Sequence, residues 1–517
     1  MINEQIILWV DDEIELLKPH ILFLEKKGYT VVPVNNGSDA LEEIQNQPFD
    51  LVLLDENMPG LSGLETLQKI KEINMGLPVV MVTKNEAEHI MEEAIGSHIA
   101  DYLIKPVNPN QILLTLKKLL HRNTIVKEKT TQGYQQEFRN ITMDISNARD
   151  YEDWANTHKK LIKWELDLEK IDNDGLLNIF QSQKSDANSQ FFKFIQKNYT
   201  QWFKDSDGPV MSHTAFNQLI RPRLSKNKGT VLLLIDNLRL DQWEIIKPLI
   251  TPYYNIIGED LYFSILPSAT QYARNAFFAG LMPSEIEKKY PEYWKNDNDE
   301  GNKNDYEREL LEDNLKRLGM SNIQFRYDKI LNVRHEKKLI ESFHKIKKMD
   351  LSVIVYNFID ILSHAKTDNN IINEMIRDDK TYRSLTYTWF QNSDILNFIK
   401  MAAEENMNLI ITTDHGTIFV KEPTQVVGDK ETSTNLRYKM GRHLQYDDKY
   451  VLAADKPEEF FLPKPNLTSK YIFAKENYFL AFPKNYNYFV NYYKDTLQHG
   501  GISLEEMIIP LTYLEAK

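Results

Sequence analysis

Cysteine is absent from all 517 residues, which excludes disulfides, thiolate metal sites and a cysteine nucleophile. No run approaches the ~18 apolar residues of a membrane span, so no span is expected. An excess of positive charge is also missing. The chain has 62 Lys+Arg against 75 Asp+Glu, a net charge of −13. That weighs against a generic nucleic-acid coat, which needs clustered positive charge. It leaves a nucleotide substrate open, because carboxylates gathered around cations would also make the count acidic. The opening MINEQIILWVDDE places an acidic pair where a secretion leader would carry basic residues. A cytoplasmic protein is expected. At ~150 residues per domain the length suggests three or four domains.

Residues 5–120 alternate short apolar runs with amphipathic stretches. IILWV, YTVVPV, LVLLD, PVVMVT and YLIKP read as strands. The stretches around 14–27, 37–46, 63–73, 85–95 and 109–120 read as helices. This alternation predicts a doubly wound parallel sheet. Residues 121–207 contain no proline and place Trp154, Leu161, Trp164 and Leu168 at helical spacing. They predict two or three helices whose tryptophans pack, ending near Asp207-Gly208-Pro209. From about 228 β-rich runs return: TVLLLID, DLYFSIL, DLSVIVYNFID, MNLIITTDHG and EMIIPLTYL. These predict a second, larger α/β domain, with 285–345 and 420–475 as excursions over one end of its sheet. The expected boundaries are 1–121, 122–207 and 208–517.

The strand ends carry the chemistry. In the first domain they bring Asp11-Asp12, Asp55, Thr83 and Lys105-Pro106 to the edge where open parallel sheets bind ligands. Three carboxylates there make a hard oxygen site for Mg²⁺. The cation would neutralise an incoming phosphoryl group while Asp55 attacks and Lys105 and Thr83 stabilise its oxygens. An aspartate at a strand end is by itself usually a turn or cap; five such residues at successive strand ends are not. The motifs VDDE at 10–13, DENMPGLSGLE at 55–65, Thr83 and Lys105-Pro106 resemble the response-regulator receiver family. The resemblance implies phosphorylation of Asp55, a Mg²⁺ held by Asp12, Asp55 and the backbone of Asn57, support from Asp11, and a switch aromatic at Tyr102.

The second domain is too large for a DNA-binding module. Its strand ends and adjoining loops offer Asp236, Thr270, Asp360, His364, Asp414, His415 and His499. Asp360 and His364 share a face if that segment is helical. Three aspartates, three histidines and a hydroxyl suit two adjacent zinc ions, a clamp for phosphoryl transfer. Thr270 opens an expected helix whose N–H groups favour phosphate. Taken singly, an Asp-His pair reads as a capped turn and Thr270 as a helix cap. The ordered set is far more specific. It resembles the nucleotide pyrophosphatase/phosphodiesterase branch of the alkaline phosphatase superfamily, and IDNLRLDQW at 235–243 resembles its PglZ subgroup. The fold class expected is therefore α/β: an N-terminal (βα)5 receiver, a central helical bundle linker and a C-terminal alkaline-phosphatase-like domain. That order is similar to PorX-type two-component response regulators over essentially the whole chain.

The resemblance implies one zinc on Asp236, Thr270, Asp414 and His415, another on Asp360, His364 and His499, and Thr270 as nucleophile. It also implies cleavage of nucleotide or oligonucleotide phosphodiesters, regulation of type IX secretion, a sensor histidine kinase and an alternative sigma factor as partners. A homodimer is expected on phosphorylation. Arg239 and Arg274 lie close enough in sequence to bind a phosphate oxygen; surface ion pairs are the even alternative. Basic and aromatic residues interleave at 434–450 (Arg437, Tyr438, Lys439, Arg442, Tyr446, Lys449, Tyr450), which suits either a solvated face or a nucleotide strand. A scaffold that binds partners without catalysis is the competing function, and a DNA-binding regulator a distant third.

Overall fold

A computed structural model describes residues 5–84, 99–120, 122–171, 173–204, 208–224 and 228–517. The chain divides into two compact units, Met1–Gly133 and Tyr134–Lys517. The division falls inside one long helix, Arg122–Asn147. The stretch at 85–95, read above as a helix, and Asp207 lie outside the described residues. Among the described residues, no helix is long and apolar enough to cross a membrane.

The first unit is a five-stranded sheet of β1 (Gln5–Val10), β2 (Tyr29–Val34), β3 (Leu51–Asp55), β4 (Val79–Thr83) and β5 (Asp101–Ile104). Every neighbouring pair is parallel and the order is β2–β1–β3–β4–β5. Helices α1 (Lys18–Glu25), α2 (Gly37–Asn46), α3 (Gly63–Ile73) and α4 (Pro109–Leu120) accompany it. β3 and β4 are buried along their whole length, which their unbroken apolar runs require of strands covered on both faces. A reciprocal cap between Ser62 and Glu65 fixes where α3 begins. At its first residue a Cβ on Gly63 would lie 2.4 Å from the carbonyl oxygen of Asp55. Only glycine lets the helix start this close to the strand end that carries Asp55.

The second unit holds three long helices and a six-stranded sheet. The helices are α5 (Arg122–Asn147, from Tyr134 onward), α6 (Tyr151–Leu168) and α7 (Asp174–Asn198). Asp150 and Asn173 cap α6 and α7 with side-chain oxygens. The sheet strands are β6 (Thr230–Ile235), β7 (Tyr254–Phe263), β8 (Phe325–Ile330), β9 (Leu351–Tyr356), β10 (Asn408–Thr412) and β11 (Ile508–Ala516). Their order is β7–β11–β10–β6–β9–β8, with β11 antiparallel to both neighbours and β10, β6, β9 and β8 mutually parallel. Three helices used below are α8 (Leu240–Ile250), α9 (Thr270–Ala279) and α10 (Phe358–Asp368); a fourth, α11, spans Asp379–Gln391.

Two segments differ from the sequence reading. The excursion at 285–345 contributes β8, an edge strand of the main sheet. Its sequence FRYDKI hides this, because an edge strand buries little and carries charge. β9 stops at Tyr356, so Asp360 sits in the first turn of α10, not at the strand's end. The 420–475 excursion folds into a small three-stranded sheet from Tyr438–Gly441, Val451–Ala454 and Lys470–Ala474.

The linker helices have no separate core. Trp154, Leu161, Phe180, Phe191 and Ile195 belong to the same apolar cluster as Leu232, Phe263, Phe277 and Ile508 of the sheet domain. Trp154 packs edge-on against Phe191 at 5.4 Å, confirming a tryptophan that fills space. Beside this core lies a buried ionic network. Arg383 on α11 pairs with Asp241 on α8 and with Glu165 and Glu169 at and just beyond the end of α6. Lys184 on α7 meets Glu165 at 3.0 Å and Glu505 at 3.2 Å. Arg239 joins Asp241 and, at 2.5 Å, Asp379. Five carboxylates thus face three cations, and the excess is relieved at Glu169, which burial pushes up to about 7. Removing one cation strands its partners in low dielectric. Arg383→Met is expected to cost about 3–5 kcal/mol, read from urea unfolding; a loss under about 1 kcal/mol would mean the network adds little to stability.

Candidate functional site

The first candidate site stands at the carboxyl edge of the five-stranded sheet. Asp11, Asp12 and Asp55 bring one carboxylate oxygen each to within 4.8 Å of one another. Lys105 Nζ lies 2.8 Å from Asp11 Oδ2 and 3.1 Å from Asp55 Oδ1. Burial raises the Asp55 carboxyl, and Lys105 works against that rise. Thr83 is buried at the end of β4, Asn57 is exposed just past β3, and Tyr102 is 41% exposed on β5. A carboxylate triad with one lysine is a donor set that suits a hard cation.

The second site gathers at the edge where β6, β7, β9 and β10 end and β11 begins. Asp236 follows β6; Asp414 and His415 follow β10; α9 opens with Thr270; α10 carries Asp360 and His364; His499 precedes β11. Two ligand clusters form. Asp236, Asp414 and His415 make one, and Asp360, His364 and His499 the other, each within 4.8 Å. Thr270 Oγ1 belongs with the first, 3.0 Å from His415 Nε2 and 3.5 Å from Asp236 Oδ1. The clusters adjoin: the rings of His415 and His499 stack with centroids 4.3 Å apart. His364 Nε2 lies 3.5 Å from Asp360 Oδ1, one helical turn away, as the spacing predicts. All seven residues named from the sequence meet at this edge.

The local backbone explains the aim of each group. His415 Nδ1 lies 3.0 Å from the carbonyl of Gly416, which leaves Nε2 directed at the cluster. Gly416 is required because a Cβ there would lie 2.0 Å from the carbonyl oxygen of Glu505. Asp414 Oδ1 accepts backbone N–H groups from Asn237 at 3.3 Å and His415 at 3.1 Å. Its Oδ2 is buried with no hydrogen-bond partner among the described residues.

The donor set fits divalent cations. Burial raises Asp414 and carries Asp360 up to about 6, with Asp236 adding repulsion in both cases. Burial also holds His499 well below its usual value, with His415 and His364 adding to the effect, so its ring is a neutral donor. A neutral His499 ring and carboxylates that repel one another, with one oxygen left without a hydrogen bond, are what nitrogen- and oxygen-ligated ions satisfy.

Sequence reasoning missed Asn237, which holds a left-handed φ of 64° and lets its Nδ2 reach Ser363 Oγ at 3.1 Å and Asp360 Oδ1 at 3.4 Å. The Asp-Asn pair after a strand was the available signal, since asparagine tolerates that conformation. It also missed Asn357, which donates to Asp236, and Glu307, which accepts from Arg274 and Tyr327.

Both arginines take the ion-pair alternative, but as buried pairs and not surface ones. Arg239 is 2% exposed and spent on Asp241 and Asp379. Arg274 is 1% exposed and spent on Asp236 and Glu307. Both guanidinium groups are thus buried against carboxylates, not set out on the surface to meet substrate phosphate. In 434–450 the basic residues do not form one continuous exposed face. Arg437 is buried against Glu506, Lys439 is buried over the ring of Phe482, and Arg442 is taken by Asp429 and Glu431.

Comparison with known proteins gives three matches in chain order. Residues 7–117 match the response regulator receiver domain, 124–203 the PorX response regulator linker domain, and 215–514 the BREX system PglZ alkaline phosphatase-like domain. The transcriptional regulatory protein ZraR of Klebsiella oxytoca is 38% identical over 133 residues, 26% of this chain and 30% of its own. The transcriptional regulatory protein ResD of Bacillus subtilis is 33% identical over 120 residues, 23% of this chain and 50% of its own. The chain thus spans half or less of the length of these two relatives. The chemotaxis protein CheY4 of Vibrio cholerae is 28% identical, covers 23% of this chain and 99% of its own, and has a TM-score of 0.22.

Since Asp360 must lose its proton to bind an ion, zinc loading followed by chelator competition is expected to weaken as pH falls below about 6. Affinity unchanged between pH 7 and 5 would show that Asp360 is not a ligand.

Proposed function

The chain belongs to the PglZ alkaline phosphatase-like family, in a PorX-type architecture behind a receiver and linker, and on that premise we propose a phosphorylation-controlled, two-zinc phosphodiesterase acting on nucleotide or oligonucleotide phosphodiesters. One observation carries this reading: a hydroxyl, Thr270 Oγ1, stands at a helix N-terminus against one of two adjoining ligand clusters. Asp236, Thr270, Asp414 and His415 would hold one zinc, and Asp360, His364 and His499 the other. When bound, the ions supply Lewis acidity to the hydroxyl and to the phosphoryl oxygens.

The chain's own groups do the rest. Thr270 sits at the first position of α9, where free N–H groups favour a phosphate. Its oxygen attacks phosphorus in line and one alcohol leaves, giving a phosphothreonine ester. Water then cleaves that ester and restores the hydroxyl. In the receiver, Asp12, Asp55 and the backbone of Asn57 would hold Mg²⁺, with Asp11 in support. Asp55 accepts the phosphoryl group while Lys105 and Thr83 bind its oxygens. A sensor histidine kinase would supply that group, and phosphorylation would drive a homodimer. Regulation of type IX secretion and contact with an alternative sigma factor complete the proposal, with the protein in the cytoplasm.

Two measurements test it. Turnover of a chromogenic phosphodiester should need zinc and fall by at least about 10³-fold in Thr270→Ala; equal rates in both proteins reject the mechanism. Labelling by an acyl phosphate should be lost in Asp55→Asn, and retention of label would place the phosphoacceptor elsewhere.

A further inference from the structure

The two carboxylate oxygens of Asp236 do different things. Oδ2 accepts from Arg274 Nη1 at 2.5 Å and from Asn357 Nδ2 at 2.9 Å. Oδ1 faces the other way, 3.5 Å from Thr270 Oγ1 and 3.9 Å from His415 Nε2. Arg274 is itself held, because its Nε donates to Glu307. Glu307 is 1% exposed, accepts the hydroxyl of Tyr327 and lies 3.2 Å from Lys329 Nζ. Tyr327 and Lys329 are two residues apart on β8 and so project from one face of that edge strand. Alternating charge therefore runs inward from the sheet edge: Lys329, Glu307, Arg274, Asp236. Arg274 also stands 3.7 Å from Asp414 Oδ2, the oxygen that accepts no hydrogen bond among the described residues.

We propose that Arg274 and Asn357 are positioning residues that tie back one oxygen of Asp236, so that only Oδ1 is presented to a divalent cation held with Asp414 and His415, and that Glu307 fixes the arginine for this task. The inference rests on the two-ion reading above and assigns residues to it that the ligand motif does not contain. A carboxylate with both oxygens free swings between one- and two-oxygen contacts. Anchoring one oxygen removes that freedom before the ion arrives, and losing such an outer partner costs roughly 10–100-fold in metal affinity. Orientation and bare charge predict opposite signs. If Arg274 acted only as a nearby positive charge, removing it would tighten the binding of a divalent cation. If it orients Asp236, removing it loosens binding. Lysine keeps the charge but cannot fork between Asp236 and Glu307, so it should not rescue.

The test is zinc affinity of the full-length protein, by competition with a chromophoric chelator that resolves the two ions. Arg274→Met and Arg274→Lys should each weaken one ion by about 10–100-fold and leave the other unchanged. Asn357→Leu should weaken the same ion by less, and it keeps the test decisive if the arginine variants fail to fold. Unchanged or tighter binding in folded variants overturns the proposal, as does equal weakening of both ions. If the wild type binds two zincs and the variants match it, positioning alone fails. If the wild type binds fewer than two, the two-ion reading fails and takes this inference with it.

Discussion

Repulsion between carboxylates gathered at one sheet edge is the constraint on which both units turn. A parallel sheet delivers its strand ends to a single edge, and both units place several aspartates there. Such a group cannot stay ionised without positive charge among it. In the receiver, Lys105 reaches both Asp11 and Asp55. In the second unit, Arg274 reaches Asp236 directly and stands close to Asp414. Each cation comes from an element other than the strands whose carboxylates it serves. Each also leaves some of the repulsion unrelieved, which is the condition for taking up a metal ion.

The second unit depends on that edge being held still. Arg239 lies three residues beyond Asp236, and Glu505 presses its backbone on Gly416 beside His415. Both residues belong to the ionic network that includes Glu165 and Lys184 of α6 and α7. The linker helices are therefore joined to the loops bearing two of the ligands by buried charge as well as by the shared apolar core. A shift of α6 or α7 would strand charges in low dielectric unless those loops moved too. The positions of the linker helices and of these loops are therefore coupled.

Much of this was legible in the sequence because the informative residues are local to strand ends. Unbroken runs such as TVLLLI mark buried parallel strands, and the residue after each run lands at the edge. Asp236, Asp414 and His415 could be found in this way, Thr270 from the helix it opens, and Asp360 and His364 from their spacing of four. The failures share a cause. Whether Arg239, Arg274 and Arg437 meet solvent or a buried carboxylate depends on residues 2 to 140 positions away, such as Asp241, Asp379, Glu307 and Glu506. A charged residue reads as exposed until its distant partner is known. β8 was hidden for the converse reason, since an edge strand can be as polar as a loop.

The geometry also bears on whether the second unit is an enzyme or a scaffold. A scaffold gains stability by pairing or replacing buried polar groups, because an unpaired buried carboxylate oxygen is costly. Here Asp414 Oδ2 has no hydrogen-bond partner among the described residues, and Asp360 is held up to about 6 by burial beside Asp236. Asn237 keeps a left-handed backbone while serving both clusters. These are costs to the fold in the ion-free state, concentrated within reach of one hydroxyl. The grouping of these carboxylates around Thr270 suits the binding of ions, and a docking surface alone gives no physical reason for it.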